Sequence, residues 1–295
     1  MLPRLVENII FVRYLKNMDV KKTSLPNYKF NWRGFMALVL GAIIPSAFIG
    51  VFNVLAMILI SENWQYEDAF LIISNTVMWA GAIFAYDYFI CRPQTKKPLN
   101  FNFSTKNFTT YLLVFPLMFG MMLIAEFVAG KIPVTGPFFG KMYETFSKLM
   151  EQMSKDISVM ILLAVIMAPI FEEIVFRGIV QKGLINKGVK PMNAIWISAL
   201  AFGIVHFNPW QFVGAVLLGF VLGIVYEKTK SLLLPILLHA FNNGISTLLI
   251  FYGDTESFAD FFQISEYILL AAGIVIFTVF YFLFTKKYRV HYAEN

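Results

Sequence analysis

Eight apolar runs follow one another along the chain, at about 36–60, 69–90, 108–130, 157–180, 192–207, 211–226, 232–252 and 265–284. Most approach the ~20 residues that a helix needs to cross a bilayer. The pattern predicts an all-α, polytopic membrane protein with about eight transmembrane helices around a polar intramembrane cavity. The fifth and sixth runs are short and are separated only by Asn208, Pro209 and Trp210. They predict a tight helical hairpin or a partly inserted pair. Between the third and fourth runs, "PFFGKMYETFSKLMEQMSKD" (137–156) sets Phe139, Met142, Phe146, Leu149, Met150 and Met153 at helical spacing, with Lys and Glu between them. Such a segment predicts an amphipathic helix lying in the membrane interface. Its methionines also suit contact with a peptide, although anchoring alone accounts for the pattern.

Composition agrees with the pattern. Hydrophobic residues make up 58% of the 295 and charged residues only 14%, against roughly 45–50% apolar in ordinary soluble domains. Mean hydropathy is +0.68. Lys and Arg set the expected orientation, because their excess lies on the cytoplasmic side of short loops. Seven fall in 1–34, and Arg92, Lys96, Lys97, Lys106, Lys182, Lys187, Lys190, Lys228, Lys230, Lys286, Lys287 and Arg289 occupy the other stretches on that side, whereas 61–68 and 253–264 have none and only the long stretch 131–156 on the outer side has any, Lys131, Lys141, Lys148 and Lys155. Both termini are therefore expected in the cytoplasm. The expected organisation is a basic cytoplasmic segment (1–35), a transmembrane domain (36–285) with a motif-bearing core (157–252), and a cytoplasmic tail (286–295). This distribution also explains the net charge of +6 without any nucleic-acid partner. The first run is long enough to stay as an anchor, so no cleaved signal peptide is expected. One cysteine, Cys91, excludes an internal disulfide and a multi-cysteine metal site.

Charges and imidazoles inside spans need a reason, since even the lowest scales put a central charge at about 2.5 kcal/mol. Three groups stand out: Glu172, Glu173 and Arg177 in "PIFEEIVFRG", His206 in "FGIVHF", and His239 with Asn243 in "LLHAFNNG". Residues four apart share a helix face, and a carboxylate preceding a cation is the favoured order, so Glu173 and Arg177 form an expected intrahelical ion pair. Glu172 is left as the free carboxylate. Two adjacent carboxylates cannot both ionise cheaply, which assigns them different roles: Glu172 a candidate general base, Glu173 the partner that fixes Arg177. A structural charge cluster or an ion path fits these three residues as well. His239 and Asn243 are again four apart and could donate two hydrogen bonds to one oxygen, as an oxyanion hole requires. His291 reads as a solvated tail residue.

These residues resemble a known family. "EEIVFRG" is similar to the EExxxR motif of the CPBP intramembrane proteases, which include the type II CAAX prenyl endopeptidases and bacterial members implicated in bacteriocin self-immunity. Phe202 with His206 matches the second motif of that family and His239 with Asn243 the third, in the family's order, all within about 165–245. The resemblance implies peptide-bond hydrolysis within the membrane by a glutamate-activated water; no cofactor is expected. Glu172 would be the general base, His206 would hold and polarise the water, and His239 and Asn243 would stabilise the oxyanion. Glu173 and Arg177 would orient the site. No HExxH is present; Glu172, His206 and His239 could still offer three ligands to a divalent metal such as zinc. The expected setting is a bacterial plasma membrane, where prenylated CAAX substrates are not expected, so the expected partners are lipid and a membrane or leader peptide, and the role bacteriocin processing or immunity. The alternative is a non-catalytic transporter or regulatory partner of a sensor kinase.

Two rival proteases do not match. Phe251 stands at the first position of a presenilin-like GxGD around Asp254, and "GIST" (244–247) lacks the serine and histidine order of a rhomboid-like site. One expectation conflicts with the resemblance: along these spans Glu172 and His239 lie nearer the cytoplasmic side, but His206 near the outer end of its run. A common site requires that the fifth run start shallower, tilt, or not cross in the ordinary way.

Overall fold

A computed structural model describes residues 25–60, 67–253 and 255–288. Most of the basic N-terminal front and the tail containing His291 lie outside the described residues. The helices are α1 (Trp32–Ile60), α2 (Asp68–Thr95), α3 (Phe108–Ala129), α4 (Phe139–Met153), α5 (Ile157–Asn186), α6 (Pro191–Ile204), α7 (Pro209–Thr229), α8 (Leu233–Gly253), α9 (Phe258–Phe262) and α10 (Glu266–Lys287). Seven are long and apolar enough to cross a bilayer, which makes this an all-helical multi-pass membrane protein. The fifth run differs from the others. It forms a helix of 14 residues, about 20 Å long at 1.5 Å per residue and so short of a ~30 Å hydrocarbon core.

The helices alternate between two faces. On the basal face, where α1 begins and α2, α5, α7 and α10 end, an extended segment ties the bundle together: Phe30 N donates to Gly183 O (2.9 Å), Lys29 N to Gln94 Oε1 (2.8 Å) and Asn186 Nδ2 to Tyr28 O (2.9 Å). Tyr28 is wholly buried, with its hydroxyl on Gly178 O. The distal face carries α4. Its apolar stripe meets Trp210, whose ring lies 5.1 Å from Tyr143, 6.0 Å from Phe146 and 6.4 Å from Phe139. The amphipathic helix expected in 137–156 is thus present and pinned by an aromatic cluster.

Glycines set the closest helix crossings, as expected where lipid gives no hydrophobic drive and van der Waals packing decides. A Cβ on Gly120 of α3 would stand 2.6 Å from Phe277 N of α10, and one on Gly273 of α10 would stand 2.9 Å from Gly120 O. The pair α1 and α2 crosses the same way at Gly41 and Gly81.

Two departures from regular helix bear on the site. Helix α5 widens into π-helical turns at Ile161–Met167 and Ile174–Gln181, on either side of the Glu172–Glu173 turn. Wide turns of this kind are frequent where a helix carries function. Helix α8 starts recessed. Its lead-in residue Leu232 donates from its N–H to Asn102 O (2.8 Å), Asn102 Nδ2 donates to Lys230 O (2.7 Å), and Ser231 Oγ to Ser104 O (2.7 Å). The non-helical stretch around 99–106 thereby satisfies the backbone of the α7–α8 turn. Irregular backbone is tolerated at depth on that condition.

Candidate active site

The depth conflict resolves in the described structure. Counting from Asn186 at ~1.5 Å per residue, Glu172 lies about 20 Å from the basal end of α5, and α6 from Pro191 reaches a similar depth just before His206. Because α6 stops there, half-buried His206 stands near the level of Glu172. The turn that follows is built by its sequence: Phe207 takes a left-handed φ of 55°, Asn208 caps α7 by accepting from Gln211 N (2.8 Å), and Pro209 opens the helix. A bulky residue in that conformation carries about 1–2 kcal/mol of strain. Helix α8 meets the same level because its lead-in Leu232 already packs at Gly178, 3.2 Å from where a Cβ would be. His239 is then about 10 Å further, and Glu173 about 8 Å, at ~1.5 Å per residue.

The core of the site is a shared carboxylate. Glu173 Oε1 accepts from Arg177 Nη1 at 2.7 Å and from His239 Nδ1 at 2.9 Å. Glu173 and Arg177 are both 0% exposed. The ion pair expected from the i, i+4 spacing is therefore present, and the long-range bond to His239 is an addition that spacing alone does not reveal. A carboxylate oxygen only accepts, so Nδ1 of His239 carries a proton. Nε2 faces the other way, 3.8 Å from Glu172 Oε2. That separation is too long for a hydrogen bond.

Arg177 is further held by Nη2 donating to Gly219 O (3.0 Å), and one helical turn on, Gln181 Nε2 donates to Gly223 O (2.9 Å). Two side chains four apart on α5 thus grip two glycine carbonyls four apart on α7. A Cβ on Gly219 would lie 3.2 Å from Arg177 Nη2 and 3.1 Å from the Phe202 ring. Gly219, Gly223 and Gln181 were not among the sequence candidates. The signal was present as "GFVLG", two small residues one turn apart in an apolar helix.

Phe202 is the hinge of the arrangement. Its ring stacks under the Arg177 guanidinium (4.7 Å) and lies 5.5 Å from the His239 ring, 5.1 Å from the His206 ring and 5.2 Å from Phe176. His206 Nδ1 lies 2.8 Å from Phe202 O. The carbonyl accepts, which makes Nδ1 the protonated nitrogen and leaves Nε2 as an acceptor. Asn243, one turn beyond His239, donates from Nδ2 to Ala164 O (2.7 Å) and accepts at Oδ1 from Asn242 (2.9 Å). One of its N–H groups remains available.

The structure therefore brings Glu172, Glu173, Arg177 and His239 together directly, joins His206 to them through Phe202, and ties Asn243 to the α5 backbone. Among the described residues no three His, Cys, Asp or Glu side chains form a group that could hold a metal ion, so Glu172, His206 and His239 do not assemble into a three-ligand set. A separate cavity of about 560 Å³ lies on the distal face between Glu126, Ser257, Asp260 and Glu266 and shares no lining residue with this site.

No curated protein and no solved structure matches the chain. Residues 154–245, which contain α5 through the third motif, match the family described as type II CAAX prenyl endopeptidase, Rce1-like, so the core that carries this site is similar to a membrane protease.

Proposed function

We propose that the protein is an intramembrane endopeptidase that hydrolyses a peptide bond of a membrane-associated or leader peptide with a water activated by Glu172. The observation that carries this reading is the division of labour between adjacent carboxylates: Glu173 is saturated by Arg177 and His239, while Glu172 makes no hydrogen bond in the described structure and faces His239 Nε2 across 3.8 Å. Donation from Nε2 to the reacting oxygen while Nδ1 serves Glu173 makes His239 an imidazolium in the reacting state.

The chemistry follows from these positions. Glu172 removes a proton from water as the oxygen adds to the scissile carbonyl carbon, and the carbonyl π electrons move to oxygen. His206 accepts a hydrogen bond from that water at Nε2. The resulting oxyanion accepts from His239 Nε2–H and from the free N–H of Asn243. Glu173, itself locked by Arg177, holds the imidazole in orientation. Glu172 then returns the proton to the leaving nitrogen, the C–N bond breaks, and an acid and an amine depart. The site sits in a bacterial plasma membrane with both termini cytoplasmic, and processing of, or immunity to, a bacteriocin-type peptide is the role in keeping with the family.

Purified protein in lipid vesicles, offered internally quenched peptides with an apolar membrane tail, is expected to cleave them. Glu172→Gln should lower the rate by about 10² to 10⁴, the usual worth of a positioned general base, without lowering thermal stability. Retention of wild-type cleavage by Glu172→Gln, or of cellular function by Glu172→Gln and His206→Ala, would instead support a binding or transport role.

A further inference from the structure

Helices α1 and α2 lie outside the motif region, yet they carry polar side chains that the fold does not use. Ser46 and Thr76 turn their hydroxyls onto their own helices, at Ala42 O (2.7 Å) and Ile72 O (2.6 Å). Asn75 behaves differently. Its Oδ1 is shielded from solvent and has no hydrogen-bond partner among the described residues, as is also true of Asn53 Oδ1 and Ser74 Oγ. A shielded carbonyl oxygen without a partner within a membrane-spanning segment is expensive, and an apolar side chain of the same size would avoid the penalty.

The position of Asn75 suggests what it meets. Trp79 of α2 makes an edge contact with Phe176 of α5, ring centroids 6.4 Å apart, and α2 also packs along 161–173. The two helices run in the same direction. One turn toward the distal face from Trp79 is Asn75, and one turn from Phe176 in the same direction is Glu172, so the two lie at the same level. The other flanks of this part of α5 are occupied: α8 supplies His239, α7 supplies Gly219 to Arg177, and α6 supplies Phe202. The α2 side is the remaining flank.

A peptide cleaved within the bilayer has to be extended at the scissile bond, and its freed N–H and C=O groups need partners that lipid does not provide. A primary amide offers one donor and one acceptor side by side, the complement of a peptide group. From this placement we infer that Asn75 is a substrate-binding residue whose amide hydrogen-bonds the main chain of the extended peptide next to the scissile bond, on the α2 side of Glu172. The assignment rests on the peptidase reading above and extends it to a residue outside the matched region.

The test uses a quenched membrane peptide that the wild type cleaves and Glu172→Gln does not. Asn75→Leu should raise KM with little change in kcat, lowering kcat/KM about three- to tenfold, the magnitude of one neutral hydrogen bond. Replacing single peptide bonds near the scissile site by esters removes one N–H at a time. One ester position should slow the wild type by a similar factor and slow Asn75→Leu no further. Asn75→Leu should unfold no earlier than the wild type, since it removes a shielded carbonyl oxygen without a partner, and Asn75→Ala repeats the comparison without the branched side chain. Wild-type kcat/KM in both variants, or ester penalties that persist unchanged in them, overturns the assignment alone. Absence of any Glu172-dependent cleavage by the wild type overturns it together with the peptidase reading.

Discussion

Arg177→Met is the most informative single change at the site. Arg177 is wholly buried, pairs with Glu173 at 2.7 Å and donates to Gly219 O at 3.0 Å. Methionine approximates the volume of the stem but leaves Glu173 with only His239 Nδ1. Stranding a buried charge in this way typically destabilises by about 3–5 kcal/mol, mostly through the penalty on the partner left behind. At roughly 2–4 °C per kcal/mol for a chain approaching this size, the melting temperature should fall by about 6–20 °C. The companion Glu173→Gln strands Arg177 in turn, although its amide oxygen can still accept from Nη1, so its loss should be smaller. The double variant removes both charges and should be more stable than the sum of the single losses by about 2 kcal/mol or more. Thermal unfolding of the detergent-solubilised proteins, followed by intrinsic tryptophan fluorescence, measures all three. A melting temperature for Arg177→Met within about 2 °C of the wild type, or strict additivity in the double variant, would refute the reasoning, because either result means that water or lipid headgroups reach the pair.

Two further changes test the frame around the site. Gly120→Ala places a methyl group 2.6 Å from Phe277 N, a backbone atom that cannot rotate away, so α3 and α10 must separate at a cost of about 1–3 kcal/mol; an unchanged melting temperature would show that the crossing is looser than described. Trp210→Ala removes the ring against which Phe139, Tyr143 and Phe146 pack, each contact worth about 0.5–1.5 kcal/mol beyond burial. Proteolytic nicking within 131–156 in intact vesicles should become faster, and equal rates in the two proteins would mean that lipid alone holds α4.

Several features were legible in the chain because they depend on neighbours close in sequence. Apolar runs mark spans wherever helix length and bilayer thickness are the only variables. The Glu173–Arg177 pair needs only the helix repeat, and the amphipathic 139–153 segment only its own periodicity. The depth of His206 stayed open at the level of sequence, because run boundaries do not show whether a short run crosses the whole bilayer. Helix α6 stops after 14 residues, and that single fact brings His206 to the level of Glu172.

By itself the sequence determined a membrane-embedded helical chain, the residues that carry charge inside it, and which two of them are paired on one helix. It did so because hydrophobic transfer and i, i+4 geometry act locally. Only the tertiary structure decided that Glu173 also holds His239, 66 residues away. It likewise decided that Arg177 rests on a glycine carbonyl of α7, that Phe202 spaces the two histidines, and that Glu172 stands 3.8 Å from His239 Nε2. Each of these depends on helix crossings set by glycine contacts and on the recessed start of α8. No local periodicity encodes where one helix stands against another.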